Sequence, residues 1–142
     1  ETFAALTYTM PGMPLIYNGQ EYDLNKRLRF FEKDTIPHTV GHMMTVYEKL
    51  GKLKVENPAL KGGKNPASYR RIQTSLDDKV LAFERENEGK KVIYIANLTK
   101  DNQNVKIQTE GSYKDYMNNQ EMVLVKDQQL ELKPWQYIIL AN

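Results

Sequence analysis

The chain contains no cysteine, only two histidines and a single tryptophan. The first absence removes disulfides, thiolate nucleophiles and cysteine-ligated zinc, and leaves the compartment open. His38 and His42 stand four residues apart, a spacing that puts two side chains on one helix face. The intervening Thr39-Val40-Gly41 lacks the glutamate of a zinc-protease helix, so surface or capping roles are expected and no metal site is assigned. No apolar run approaches the roughly 18–20 residues that span a bilayer. Neither sign of charge is in excess: Lys and Arg total 20, Asp and Glu total 18, and the net charge is +2. Residues 1–62 carry 8 basic and 7 acidic groups, and residues 63–142 carry 12 and 11. The basic footprint of a nucleic-acid binder is therefore missing. Arg70-Arg71 and Lys90-Lys91 read as solvated strand ends. Neither nucleic acid nor a membrane is expected as a partner.

What is present suits one domain or two small ones. The 142 residues are 40% hydrophobic and 27% charged, and a compact chain of this size buries roughly 68–70% of its unfolded surface. The first residue is Glu1, and residues 1–10 are helix-capable with apolar Phe3, Leu6 and Met10. Alone they are too short for a stable helix, and they lack the features of a signal peptide. The expectation is a chain that begins partway through a helix of something larger. Pro11-Gly12 marks a turn, and Met13-Pro14-Leu15-Ile16-Tyr17 reads as a short strand buried on both faces. Asn18-Gly19 ends it, and residues 20–37 form a long aromatic and polar loop. A helix is expected over residues 38–55, with Val40, Met43, Met44, Tyr47, Leu50 and Leu53 as its apolar stripe. Asn57-Pro58 stops it.

Beyond Gly62-Gly63 the apolar period falls from about 3.6 to 2. Strands are expected near 68–74, 80–86, 91–98, 103–108, 113–117, 121–125, 128–132 and 135–141. Asn87-Glu88-Gly89, Asn118-Asn119 and similar turn formers separate them. Short strands at this spacing indicate an antiparallel sandwich or barrel-like sheet. Leu81 and Phe83 share one face, and Val92-Ile93-Tyr94-Ile95-Ala96 should be central. The fold class expected is mostly β with one long helix: one βα unit followed by an antiparallel β-sandwich.

These residues resemble a known family. The run Pro11-Gly12-Met13-Pro14-Leu15-Ile16-Tyr17-Asn18-Gly19-Gln20-Glu21 is similar to the segment around the eighth barrel strand of α-amylase family glycoside hydrolases. Lys49-Leu50 through Glu56-Asn57-Pro58-Ala59-Leu60 resembles the end of that barrel's last helix. Val80–Arg85, Val92–Leu98 and Leu132-Lys133-Pro134-Trp135-Gln136-Tyr137 resemble early and final strands of the family's C-terminal β domain. The resemblance implies a fragment. Residues 1–62 would be the C-terminal end of a (β/α)₈ catalytic barrel, with its eighth strand and helix, and residues 63–142 the β domain.

It also implies where the chemistry lies. Retaining glycoside hydrolysis uses two carboxylates about 5–5.5 Å apart. In the family these acids and a third lie at the ends of the fourth, fifth and seventh strands, all ahead of Glu1, so no residue here inherits a catalytic role. Glu21 would sit on the face where barrel active sites are built. It would contact sugar or, as the family favours, hydrogen-bond the loop backbone. Tyr22 and Trp135 are further substrate-binding candidates, and Asp23 a weaker one. Tyr17, Phe30 and Phe31 could stack on sugar or close the barrel, and Arg27 and Arg29 bind hydroxyls or bridge the loop. Trp135 with Tyr113 and Tyr116 could form a glucan platform or close the sandwich. No cofactor is expected in this chain, although the family resemblance allows calcium in an intact parent. The partner expected is an α-glucan or maltooligosaccharide, bound through that parent. A severed barrel strand would also favour self-association. A carbohydrate-binding β module without activity, and a relative that has lost its acids, are the alternatives.

Overall fold

The computed structural model describes residues 1–142. Two helices come first, α1 (Thr2–Thr9) and α2 (His42–Glu56). Single 3₁₀ turns follow at Gln20–Tyr22 and Pro58–Leu60. Eight strands complete the chain: β1 (Ser68–Arg71), β2 (Val80–Asn87), β3 (Lys90–Asn97), β4 (Gln103–Lys106), β5 (Gly111–Asp115), β6 (Gln120–Leu124), β7 (Gln129–Leu132) and β8 (Tyr137–Ala141). Six of them form one sheet in the order β1-β2-β3-β8-β5-β6, and β4 pairs with β7 in a second. All named pairings are antiparallel. All eight expected strands are present, with ends displaced by a few residues.

Strand parity explains the layers. Successive side chains point to opposite faces. On one face Phe83, Val92, Tyr94, Ala96 and Ile139 meet Ala5 and Tyr8 of α1, and Val46, Tyr47, Leu50 and Leu53 of α2. On the other, Val80, Ala82, Ile93, Ile95, Ile138 and Leu140 pack with Val105 and Leu132 of the small sheet. The large sheet is thus covered by helices on one side and by two strands on the other. Its central strands are apolar in both directions for that reason. The β2–β3 hairpin turns at Glu88 and Gly89, both at positive φ (51° and 75°). That is the two-residue geometry matching the strand twist, and glycine supplies half of it without strain.

Two expectations are corrected. Residues 13–17 form no strand. An apolar run can mark burial on both faces, but a ladder needs an edge to pair with. Here residues 13–17 lie on none of the sheet edges, and Met13 is left 93% exposed. The second helix begins at His42, four residues later than expected, because its cap is remote. Asp23 accepts from the His42 amide (2.6 Å) and the Met43 amide (2.9 Å). Val40 therefore precedes the helix and is exposed, and Val46 takes its place in the stripe. α2 is the one long helix expected, and residues 1–10, expected as part of a helix, carry α1. α1 is short but not alone: the Tyr94 hydroxyl donates to the Thr2 carbonyl (2.8 Å), and Arg85 donates to the Thr9 carbonyl (3.1 Å).

Candidate functional site

The sequence candidates fall in two places. Gln20–Tyr22 makes a single helical turn between two residues in left-handed backbone, Gly19 and Asp23. Glu21 accepts from the Gly19 amide through Oε2 (3.0 Å). Its carboxylate thus bonds loop backbone, and it borders a cavity of about 390 Å³ with Ile16, Met44, Tyr47 and Glu48. Tyr22 stacks on His38 with ring centroids 4.8 Å apart. Tyr17, Arg27 and Phe30 line a neighbouring cavity of about 400 Å³. Phe30 and Phe31 meet edge to face, and both rings lie largely in solvent. Arg29 bridges to Glu32 (2.7 Å).

Asp34 fastens this loop. It takes the Lys26 ammonium (2.7 Å) and the amides of Arg29 (3.1 Å) and Thr35 (2.8 Å). The Lys26 bond first, then the two backbone bonds, lower its carboxyl from the ordinary 3.8 to about 2. A carboxylate with a depressed folded-state pKa stabilises the fold above its unfolded value. That contribution is lost as pH falls through the folded value. The order of residues 26–35 should therefore persist at pH 4 and fade towards about pH 2. A carboxyl-carbon NMR titration checks this, and Lys26→Met should return the midpoint towards the ordinary range. A midpoint near 3.8 in the parent chain would contradict the assignment.

Trp135 lies elsewhere. The structure places it in the turn entering β8, half exposed, with its ring 6.1 Å from that of Phe3. It lines a cavity of about 560 Å³ together with Glu1, His42, Lys49, Asn118 and Gln136. Glu21 is not among the residues lining it. Glu1 binds His42 Nε2 (2.5 Å) and accepts from the Tyr137 hydroxyl (3.0 Å). Burial, and then the Glu1 carboxylate, push the Tyr137 phenol well above its usual range, so it remains a donor at neutral pH. Tyr113 does not join Trp135. It is buried in the core on the far face of the sheet, with its hydroxyl on the Glu110 carbonyl (3.2 Å). Tyr116 packs against the helix-side core. No three His, Asp or Glu side chains converge as metal ligands would.

Two buried polar residues tie separate chain segments to the sheet, and sequence reasoning missed both. Arg85 is fully buried and donates to the carbonyls of Ser68, Thr9, Lys61 and Ala67. Asn97, also fully buried, donates to Asp101, Leu132 and Lys133 and accepts from Thr99. A signal for Arg85 was present: it shares strand parity with Leu81 and Phe83.

Residues 80–139 match the family model described as the α-amylase SusG C-terminal domain. No curated protein matches the sequence. Among solved structures, a maltogenic α-amylase, AmyB from Thermotoga neapolitana, is similar with 20% identity and a TM-score of 0.81, over 99% of this chain and 35% of that one. CldA, a cyclomaltodextrin glucanotransferase with three domains, gives 23% and 0.71, over 97% and 31%. AmyP, solved with maltose, gives 16% and 0.70, over 99% and 33%. At these identities the likeness is one of fold. The chain spans about a third of the length of each.

Proposed function

With residues 80–139 an α-amylase C-terminal domain of the SusG type, we propose that the chain is the C-terminal part of a glycoside hydrolase acting on α-glucosidic bonds of starch-like glucans. Residues 1–62 complete the catalytic barrel and residues 63–142 buttress it. The carboxylates that cleave the bond come from chain outside these 142 residues. Glu21 and Tyr22 then shape the rim beside the substrate. Maltose bound to AmyP supports an α-glucan as the substrate class.

The observation that carries this reading is the exposure of one segment. Met13, Leu15, Tyr17, Phe30 and Phe31 all stand largely in solvent within residues 13–31. Large apolar side chains exposed together along one segment point to an interaction site. Neighbouring barrel strands would cover Met13, Leu15 and Tyr17 and pair their backbone. In the isolated chain the same surface is where a second copy would associate.

The chain alone should release no reducing ends from soluble starch or maltooligosaccharides. A reducing-end assay on purified protein checks this. Turnover that scales with chain concentration and survives repurification would overturn the reading.

A further inference from the structure

Asn18-Gly19 is the one place in the chain where asparagine precedes glycine. In an unconstrained chain this pair is chemically labile, because glycine leaves the main-chain nitrogen unhindered as it attacks the asparagine side chain. The Gly19 nitrogen bonds to Asn18 Cγ and gives up its proton, the side-chain nitrogen leaves as ammonia, and a five-membered imide forms. Water then opens the imide at either carbonyl, giving aspartate or isoaspartate at position 18. Asn18 is exposed, so water and base reach it. Asparagine is among the residues that heat-adapted proteins carry less of, on account of its lability.

The fold sets this pair against ring closure. The Gln20 amide donates to the Tyr17 carbonyl (3.0 Å), so residues 17–20 form a turn. Asn18 keeps a negative φ, and Gly19 stands at φ 97° and ψ −15°. That combination is a type II turn, whose second residue has a ψ of about +120°. The imide needs the Gly19 nitrogen to eclipse the Asn18 Cβ about the Cα–C bond. In a type II turn that nitrogen is rotated well away from Cβ, and the carbonyl oxygen stands nearer to it. Ring closure therefore requires the turn to open first, and the rate of the chemistry follows the population of the open form.

Two side chains hold the turn shut. Glu21 accepts through Oε2 from the Gly19 amide (3.0 Å), which is the attacking nitrogen itself. Gln20 accepts through Oε1 from the Tyr17 amide (2.9 Å). The imide nitrogen carries no hydrogen, so the reaction forfeits the Glu21 bond altogether. Its isoaspartate product adds a methylene to the main chain beside Gly19, and that residue is packed without slack. A Cβ on Gly19 would lie 2.6 Å from Leu24 Cδ2 and 3.3 Å from Ile36 Cγ2. We propose that Asn18 is a deamidation site that this turn protects, with Glu21 as the latch on the attacking nitrogen. The chemistry takes no substrate, so it stands apart from the function proposed above.

Peptide mapping by mass spectrometry, after incubation at mildly alkaline pH, reads aspartate and isoaspartate at position 18. The free peptide spanning residues 13–23 should convert several-fold faster than the full chain in the same buffer. In the full chain, Glu21→Ala should accelerate conversion about fivefold, the worth of one lost hydrogen bond to a charged group. Gln20→Ala, which removes the bond to the Tyr17 amide, should accelerate it about threefold. It decides the matter if thermal denaturation shows that Glu21→Ala has lost its fold. Glu32 is a carboxylate of the same loop that binds Arg29 and no amide of the turn. Glu32→Ala should therefore leave the rate unchanged. Conversion of the parent chain as fast as the peptide overturns the protection, and a peptide that does not convert overturns the site. A folded Glu21→Ala chain that converts at the parent rate overturns the latch, as does equal acceleration in Glu32→Ala.

Discussion

Arg85→Met should lower the thermal midpoint by roughly 10–15 °C, from a loss of about 3–5 kcal/mol in a chain of this size. The side chain is completely buried. Nε donates to the Ser68 carbonyl (2.7 Å), Nη1 to Thr9 (3.1 Å), and Nη2 to Lys61 and Ala67 (3.2 Å each). No carboxylate pairs with it. Burial lowers its pKa, yet a guanidinium keeps its proton. The charge is therefore solvated by main-chain dipoles, one of them at the C-terminal end of α1, where a cation is favoured. Methionine spares the cost of burying a charge, but it strands acceptors that cannot be removed with it. Each buried acceptor left unsatisfied costs about 1–3 kcal/mol. Arg85→Lys should recover little, because three donors on one nitrogen cannot reach four carbonyls spread around a planar fork. Thermal denaturation, with amide exchange over residues 2–9 and 61–68, gives the answer. An Arg85→Met chain as stable as the parent would sink this account.

Gly41→Ala should cost about 1–2 kcal/mol, the size of a lost helix cap. The φ of Gly41 is −117°, which any residue adopts, so conformation is not the reason for glycine. Contact is: a Cβ there would lie 1.9 Å from Asp23 Oδ2 and 2.6 Å from Cγ. The Asp23 carboxylate fills the space that a capping side chain at residue 41 would use. It takes the first two free amides of α2 and complements the positive end of the helix. The two residues therefore act as one device. Asp23→Ala should cost a similar amount, and adding Gly41→Ala to it should cost little more. Urea denaturation of the four chains gives the coupling. Additive losses would show that the glycine serves some other purpose.

The strands were legible because each signal for them is local. Alternation over 80–86, turn formers at 87–89 and the apolar run 92–96 each specify a pairing without outside information. The start of α2 was not legible, since its cap comes from a residue nineteen positions earlier. Residues 13–17 show the opposite failure. Their composition is that of a buried strand, but composition does not supply the neighbour. Of the site candidates, Glu21 was placed in its loop together with its backbone-bonding role. The separation of Trp135 from Tyr113 was legible only through strand parity across β5 and β8, and that depends on register. Arg85 was hidden by its charge, which suggests solvent even on a strand face shared with Leu81 and Phe83.

Every atom that Arg85 grips belongs to the main chain. Threonine, lysine, alanine and serine contribute only what any amino acid in those places would contribute. The junction itself thus makes no demand on the side chains of four of the five participants, while the fifth is fixed. Covariation between positions would be silent here, though three remote segments meet at one point. The junction transmits shape rather than identity. A segment grafted onto this sheet would have to bring its carbonyls to the same four points around one arginine, besides the apolar face that α1 and α2 bury there.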